Sequence, residues 1–182
     1  MILSDTDRSF ILALAMDTIY TSIERGGIPA RSNAPVPDSL NLNCGAFVSL
    51  YVEGKLRGCI GTFSEEETLL RNVEKMAISA ATSDTRFNPI ETEDLNDLKI
   101  EISVLSPKQR IYDKDDIILG EHGIYMESGR NRGTLLPQVA IKENWTVEEF
   151  LGNCAKYKAG IGWEGWKAAD LFIYEAFVFS SD

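Results

Sequence analysis

The segment GAFVSLYVEGKLRGCIGTF, residues 45–63, constrains the fold more than any other part of the chain. Its two strand-like halves flank Glu53 and Gly54, a pair typical of a tight turn, so the segment predicts a β-hairpin. A second segment, GIYMESGRNRGTLLPQVAI at residues 123–141, predicts a second hairpin. Strand and helix patterns do not alternate regularly along the chain. This order argues against a doubly wound parallel sheet and predicts an α+β fold.

Helix-start signals accompany both hairpins. Three pairs of residues have the spacing of a helix capping box: Ser4 and Asp7, Ser64 and Glu67, and Thr146 and Glu149. The first predicts an N-terminal helix, and LFIYEAFVF near the end predicts a C-terminal strand. The two hairpin-and-helix patterns predict an internal duplication within one domain, residues 1–182. Two related β-α lobes, around 44–84 and 122–160, would then meet at a cleft.

The acidic balance of the chain limits its partners. The formal net charge is -10, so the surface repels nucleic acid and anionic membranes. No apolar run approaches the ~20 residues of a membrane span, and the opening MILSDTDRSF carries acids where a signal peptide carries bases. Three cysteines without a CxxC pair do not suggest a disulfide framework. We therefore expect a reduced, cytoplasmic protein that binds neither nucleic acid nor membrane.

The motif LRGCIGTF carries the candidate reactive group. Strand alternation places Arg57 and Cys59 on one face and assigns Leu56 and Ile60 to the core. A guanidinium beside a thiol favours the thiolate, and the flanking glycines let a ligand or backbone approach closely. Pairing about the turn sets Cys59 opposite Val48. Two interpretations stay open: a reactive thiol, or a small residue in a tightly packed strand.

Other candidate residues lie outside this motif. His122, the only histidine, is a possible base for Cys59, although nothing in the sequence brings the two together. Arg86 stands beside an aromatic residue and near a proline, where it either clamps a carboxylate or pairs with Asp84. Cys154 falls on the apolar face of its helix and is expected to be buried. The short ligand spacing of a zinc site is missing, so we predict no metal and no cofactor.

Six motifs occur in order: LRGCIGTF, SDTRFNPI, EISVLS, HGIYM, GTLLPQVAIKENWTVEEFL and CAKYKAGI. Together they resemble the AMMECR domain family over residues 45–179. The resemblance implies an α+β fold with a larger and a smaller β-α lobe meeting at a cleft, and it supplies no catalytic assignment. A prokaryotic branch of the family is associated with a Memo-like protein and a radical SAM protein. The family usually has proline at the position of Thr85, and its loss loosens the loop but keeps Arg86.

Two functions therefore stay open. The first is a binding or accessory component whose cleft holds a small molecule or a segment of a Memo-like partner. The second is an enzyme that uses Cys59 as a thiolate nucleophile or redox thiol, with Arg57 tuning it and His122 as base. The chain lacks a CxxxCxxC motif and would hold no iron–sulfur cluster itself. The candidate ligand-binding or cleft residues are Arg57, Gly58, Gly61, Thr62, Arg86 and Gln138.

Overall fold

The computed structural model describes residues 3–26 and 36–181, which divide into two compact units. Unit 1 comprises the described residues up to Leu105 and those from Phe177 onward, and unit 2 comprises Ser106–Ala176. The helices and strands are, in chain order, α1 (Asp5–Arg25), β1 (Ala46–Val52), β2 (Lys55–Thr62), α2 (Leu69–Thr82), β3 (Leu98–Leu105), β4 (Gln109–Ile111), β5 (His122–Ser128), β6 (Asn131–Leu135), α3 (Pro137–Lys142), α4 (Val147–Asn153) and β7 (Asp170–Ser180). Antiparallel strand pairing together with helices confirms the α+β class.

Unit 1 packs two helices against one face of an antiparallel sheet. Strand β1 lies between β2 and β3. The even-numbered residues of β1, such as Val48 and Leu50, are fully buried in a core to which α1 and α2 contribute. The opposite face carries Phe47, Ser49 and Tyr51 of β1, and we call it the outer face.

Helices α1, α2 and α4 begin after a residue whose side chain caps a free N–H group, whereas α3 begins at Pro137 without a side-chain cap. Two of the three predicted capping boxes are confirmed, at Ser4 and Asp7 and at Thr146 and Glu149. The box predicted at Ser64 and Glu67 is wrong, because α2 begins later, at Leu69. Its cap is Thr68, whose hydroxyl accepts a hydrogen bond from the N–H of Arg71 at 3.3 Å. The three glutamates at 65–67 therefore precede the helix.

The first hairpin forms where the sequence predicts it, but one strand carries an extra residue. The turn residues Glu53 and Gly54 have φ values of 50° and 74°, the left-handed values that a tight hairpin turn requires. Next to the turn the paired residues are Val52–Lys55 and Tyr51–Leu56, and farther from the turn they are Leu50–Gly58 and Ser49–Cys59. Arg57 therefore has no opposite residue and forms a β-bulge.

The bulge overturns two predictions about side-chain direction. Directly paired residues point to the same face of a sheet, so Cys59 lies beside Ser49 on the outer face rather than opposite Val48. Before the bulge, Leu56 is paired with Tyr51 and also points outward. Leu56 is accordingly 36% exposed, and its predicted place in the core is wrong.

Unit 2 repeats the combination of a hairpin with covering helices. Strand β5 lies between β6 and β7, and β4 pairs with the other edge of β7, which confirms the second hairpin and the C-terminal strand. The chain continues from α4 into a π-helical segment, Cys154–Ala159. Cys154 is fully buried, as predicted, with Met126 and Phe150, and burial raises the pKa of its thiol to about 12.

The predicted lobes fall in different units. Residues 44–84 lie in unit 1 and residues 122–160 in unit 2, and each range contains a hairpin followed by helix. The internal duplication and the cleft remain predictions. Among the helices of residues 3–26 and 36–181, none combines the length and apolar character needed to cross a membrane.

Candidate functional site

The backbone of Cys59 is held from outside the sheet by the loop that follows α2. The Cys59 N–H donates to Asp84 Oδ2 at 2.8 Å, and the Cys59 carbonyl accepts from Arg86 Nη2 at 2.9 Å. Arg86 also donates to Asp84 through Nε at 2.9 Å and Nη2 at 2.7 Å. We call these two side chains the edge clamp. It satisfies backbone groups that an edge strand such as β2 would otherwise leave open.

The edge clamp is a charged pair with one buried member. The Asp84 side chain is only 3% exposed, whereas Arg86 is 55% exposed. The hydrogen bonds from Arg86 hold the pKa of Asp84 well below its usual range, and the N–H of Cys59 adds to this effect. Of the two alternatives for Arg86, the structure shows the pairing with Asp84. Its guanidinium therefore stabilises the strand edge of the motif.

Arg57, the bulged residue, is engaged by a different carboxylate. Its two terminal nitrogens donate to the two oxygens of Asp94 at 3.0 and 3.1 Å, a bidentate pair. Asp94 also accepts the N–H of Glu91 at 3.0 Å. This backbone hydrogen bond and then the Arg57 charge lower the pKa of Asp94. Arg57 is thus not the uncommitted cation that the sequence interpretation placed beside Cys59.

The thiol of Cys59 points to the outer face. Since the N–H and carbonyl of Cys59 bond to the edge clamp, Cys59 and Ser49 form a non-hydrogen-bonded pair, the closer of the two antiparallel arrangements. The Ser49 hydroxyl donates to Cys59 Sγ at 3.3 Å. Cys59 is half-buried, whereas Cys44 and Cys154 are buried. Of the three cysteines, Cys59 is therefore the one that a reagent or ligand can reach.

The two glycines of the motif, which lack a Cβ, allow other parts of the protein to pack closely against β2. A Cβ at Gly58 would lie 2.1 Å from the carbonyl oxygen of Ala80 in α2. A Cβ at Gly61 would lie 2.2 Å from the ring of Phe47. The space that the sequence analysis left open for a ligand or another backbone is thus filled by α2 on one face and by Phe47 on the other.

The remaining candidate residues have contacts of their own. Thr62 accepts the N–H of Ser64 at 3.1 Å, and in unit 2 His122 Nδ1 accepts the N–H of Ile118, also at 3.1 Å. Gln138 is an exposed residue of α3. The role of His122 as base for Cys59 stays a prediction. In the described parts of the chain, no three or more His, Cys, Asp or Glu side chains are grouped so that they could hold a metal ion.

Sequence reasoning missed two residues that share the outer face with the thiol. Ser49 is paired with Cys59 on one side and with Glu101 on the other, so the three form a row across β2, β1 and β3. We call them the outer-face row. Burial raises the pKa of Glu101. The alternation of EISVLS does place Glu101 away from the core, but it does not indicate that β3 pairs with β1.

Comparisons with known proteins agree with this architecture. A family model described as AMMECR1 matches residues 12–179. The crystal structure of the uncharacterised protein PH0010 from Pyrococcus horikoshii has a TM-score of 0.88 and 31% identity, covering 95% of this chain and 90% of that one. A relative from Methanosarcina acetivorans is 34% identical over 97% of this chain and 92% of its own length. One from Methanothermobacter thermautotrophicus is 41% identical over 75% of this chain and 74% of its own.

Proposed function

The chain belongs to the AMMECR1 family, and from this premise we propose that it is a non-catalytic binding or accessory component of a protein modification system. Its partners in this proposal are a Memo-like protein and a radical SAM protein, as expected for the narrower group called AmmeMemoRadiSam system protein A. The proposal includes an origin of the two units by duplication and a cleft between them that receives a small molecule or a partner segment.

One observation carries the proposal: the fold already engages every polar group of Cys59. Its N–H bonds to Asp84, its carbonyl to Arg86, and its thiol accepts from the hydroxyl of Ser49. A cysteine nucleophile needs an adjacent base or an available cation; the contacts of this thiol include no base, and the nearby guanidinium of Arg86 is paired with Asp84. The edge clamp instead holds β2 rigidly, and a rigid strand is well suited to presenting its outer face to a ligand.

The experiment is a binding measurement with purified Memo-like and radical SAM proteins from the same organism. We expect Cys59→Ser to keep the dissociation constant within about twofold, because serine preserves the size of the side chain. Tyr51→Ala, on the same outer face, should weaken binding by about tenfold. Tyr157→Ala, at an exposed position of unit 2, is the matched control. Absence of binding to both proteins would contradict the proposal.

A second candidate function rests on the hydrogen bond from Ser49 to the half-buried thiol. A hydroxyl that donates to sulfur stabilises a thiolate, so Cys59 would act as a nucleophile or redox thiol. In this alternative, Arg57 tunes the thiol and His122 acts as base. The rate of alkylation of Cys59 should then exceed the rate of a free thiol at a pH well below 8. Loss of cellular activity in Cys59→Ser, with folding and partner binding intact, would favour this enzyme over the binding component.

A further inference from the structure

Unit 2 contains a cavity of about 440 Å³ beside β4, the short strand that pairs with the start of β7. This volume lies within the range of about 300–1,000 Å³ that is typical of small-molecule sites. The lining residues belong to three segments of unit 2: residues 110–114, the short 3-10 helix Trp163–Ala168, and residues 169–171. The cavity therefore shares no residue with the outer face of unit 1.

Two aromatic side chains line this cavity, Tyr112 and Trp166. Tyr112 is 86% exposed, more than any other large apolar side chain of the residues that the structure describes. Trp166 is half-buried and packs in part against the core of unit 2. Packing within the protein thus does not use the whole of either ring. Both side chains retain surface on which a flat ligand can stack.

Three cations, Arg110, Lys114 and Lys167, line the same cavity. The guanidinium of Arg110 lies over the ring of Tyr112, 5.2 Å from its centroid, and Lys167 Nζ lies 5.5 Å from the ring centroid of Trp166. These contacts occupy ring positions that a cationic ligand would need. An aromatic ligand that carries negative charge is therefore favoured, because it can contact a ring and a cation together.

The cations of the cavity are held only by exposed ion pairs. Each forms one such pair: Arg110 with Asp170, Lys114 with Glu148, and Lys167 with Glu164. Every side chain in these pairs is at least 39% exposed, so solvent screens the attraction. An ammonium group has three N–H donors and a guanidinium has five, so one ion pair leaves donors over. A phosphate can accept hydrogen bonds from these cations without breaking a buried ion pair.

We propose that the unit 2 cavity binds a nucleoside monophosphate. The base stacks on Tyr112 and Trp166, and the phosphate accepts hydrogen bonds from Arg110, Lys114 and Lys167. A nucleotide joins a flat π-face to a strong acceptor group, so it uses both kinds of lining residue. Because the whole chain has a net charge of -10, an anion needs such a local group of cations to bind. This small-molecule site goes beyond the proposed binding of protein partners.

Isothermal titration calorimetry with the whole chain tests the proposal. The probes are AMP and UMP, a purine and a pyrimidine nucleotide. The controls are adenosine and uridine, which have a base but no phosphate, and ribose 5-phosphate, which has a phosphate but no base. We expect at least one nucleotide to bind at least tenfold more tightly than its nucleoside and ribose 5-phosphate. No binding of either nucleotide at millimolar concentration, or equal binding of a control, overturns the inference.

Substitution of the exposed ring makes the test specific to this cavity. Tyr112→Ala should weaken nucleotide binding at least about fivefold, because the stacking surface is lost. Tyr157→Ala is the matched control. Its ring is 66% exposed in unit 2 and also has a cation over it, Lys156 Nζ at 4.8 Å from the centroid, but it does not line the cavity. Tyr157→Ala should leave the dissociation constant within twofold, and equal effects of the two variants would overturn the assignment.

A second pair of variants tests the phosphate contact. Lys167→Gln should weaken nucleotide binding at least threefold, without changing any binding of the nucleoside, because the nucleoside has no phosphate. Lys156→Gln, which removes a lysine outside the cavity, should leave nucleotide binding within twofold. Unchanged nucleotide binding in both Tyr112→Ala and Lys167→Gln contradicts the inference. All four variants alter unit 2 alone and are measured without protein partners. The result is therefore distinct from the partner-binding test of the proposed function.

Discussion

Asp84 accepts a hydrogen bond from the backbone N–H of Cys59 at 2.8 Å, across a separation of 25 residues. This bond joins the motifs SDTRFNPI and LRGCIGTF, which are distant in sequence. Asp84 also closes the loop around Thr85, at the position where proline is expected from the family resemblance. The N–H of Arg86 donates to Asp84 Oδ1 at 3.2 Å, and the N–H of Phe87 donates to the Asp84 carbonyl at 3.1 Å. These bonds close the turn without the fixed backbone angle of proline.

Removing the charge of Asp84 should destabilise unit 1. In Asp84→Asn the side chain can still accept one hydrogen bond, but the ionic bonds with Arg86 are lost. Since Asp84 is buried and Arg86 is more than half exposed, we expect a loss of about 1–3 kcal/mol in the free energy of unfolding. Urea denaturation at pH 7 measures it. Glu66→Gln, which removes the charge of an exposed carboxylate before α2, is the control and should leave the free energy unchanged.

The same variant makes a prediction about pH. The pKa of Asp84 is lower in the folded state than its unfolded value of about 3.9, so its charge stabilises the fold above about pH 4. That stabilisation is lost as the pH falls through the folded pKa. The difference in unfolding free energy between the wild type and Asp84→Asn should therefore be constant from pH 8 to 5 and narrow below about pH 4. A constant difference down to pH 2.5 would exclude an ionic role for Asp84.

The two glycines of the motif should differ in their tolerance of alanine. At Gly58 the added methyl group meets the backbone carbonyl of Ala80, which α2 holds in place. At Gly61 it meets the ring of Phe47, a side chain that can rotate. We expect Gly58→Ala to cost about 1–3 kcal/mol or more, and Gly61→Ala to cost less. Thermal or urea unfolding compares the two. Equal losses would mean that the Phe47 ring is held as firmly as the helix backbone.

Local sequence signals predicted the elements of the fold but not all of their boundaries. The Glu53–Gly54 turn is encoded by two adjacent residues, and the capping boxes by residues three apart, so a single sequence shows both. The false box at Ser64 has the same spacing. It fails because Thr68 caps α2 instead and also lies in an isolated bridge with Asn43, a contact that no local pattern reveals.

The environment of the thiol could be predicted only in part, and one inserted residue is the main reason. Alternation correctly kept Cys59 out of the core, but the bulge at Arg57 changed its opposite residue and reversed the direction of Leu56. The pairing of Arg57 with Asp94 joins residues 37 apart. The outer-face row depends on β3 pairing with β1. Such pairings arise from tertiary structure, which the residue pattern of a single strand does not contain.

The bidentate pair of Arg57 and Asp94 should be measurably coupled. Their side chains are 27% and 19% exposed, so solvent screens this pair only in part. A double-mutant cycle with Arg57→Ala and Asp94→Ala should give a coupling free energy of about 1–2 kcal/mol. The more exposed pair of Lys75 and Glu67 serves as the control, with an expected coupling below about 1 kcal/mol. A coupling free energy near zero would show that Asp94 does not neutralise Arg57, and Arg57 would again be the uncommitted cation of the sequence interpretation.

The three cysteines should differ sharply in their reaction with iodoacetamide. Burial raises the pKa of the Cys44 thiol to about 11 and that of Cys154 to about 12, so both are almost wholly protonated at pH 8. Cys59 is half-buried and should be alkylated first, with the other two reacting at least about 100-fold more slowly. Peptide mass spectrometry after timed exposure measures the three rates.

Because Arg57 is paired with Asp94, Arg57→Ala should leave the alkylation rate of Cys59 unchanged. Ser49→Ala should alter that rate, because the hydrogen bond to sulfur is lost. A slower alkylation of Cys59 in Arg57→Ala, with the fold intact, would instead show that the charge of Arg57 controls the reactivity of the thiol.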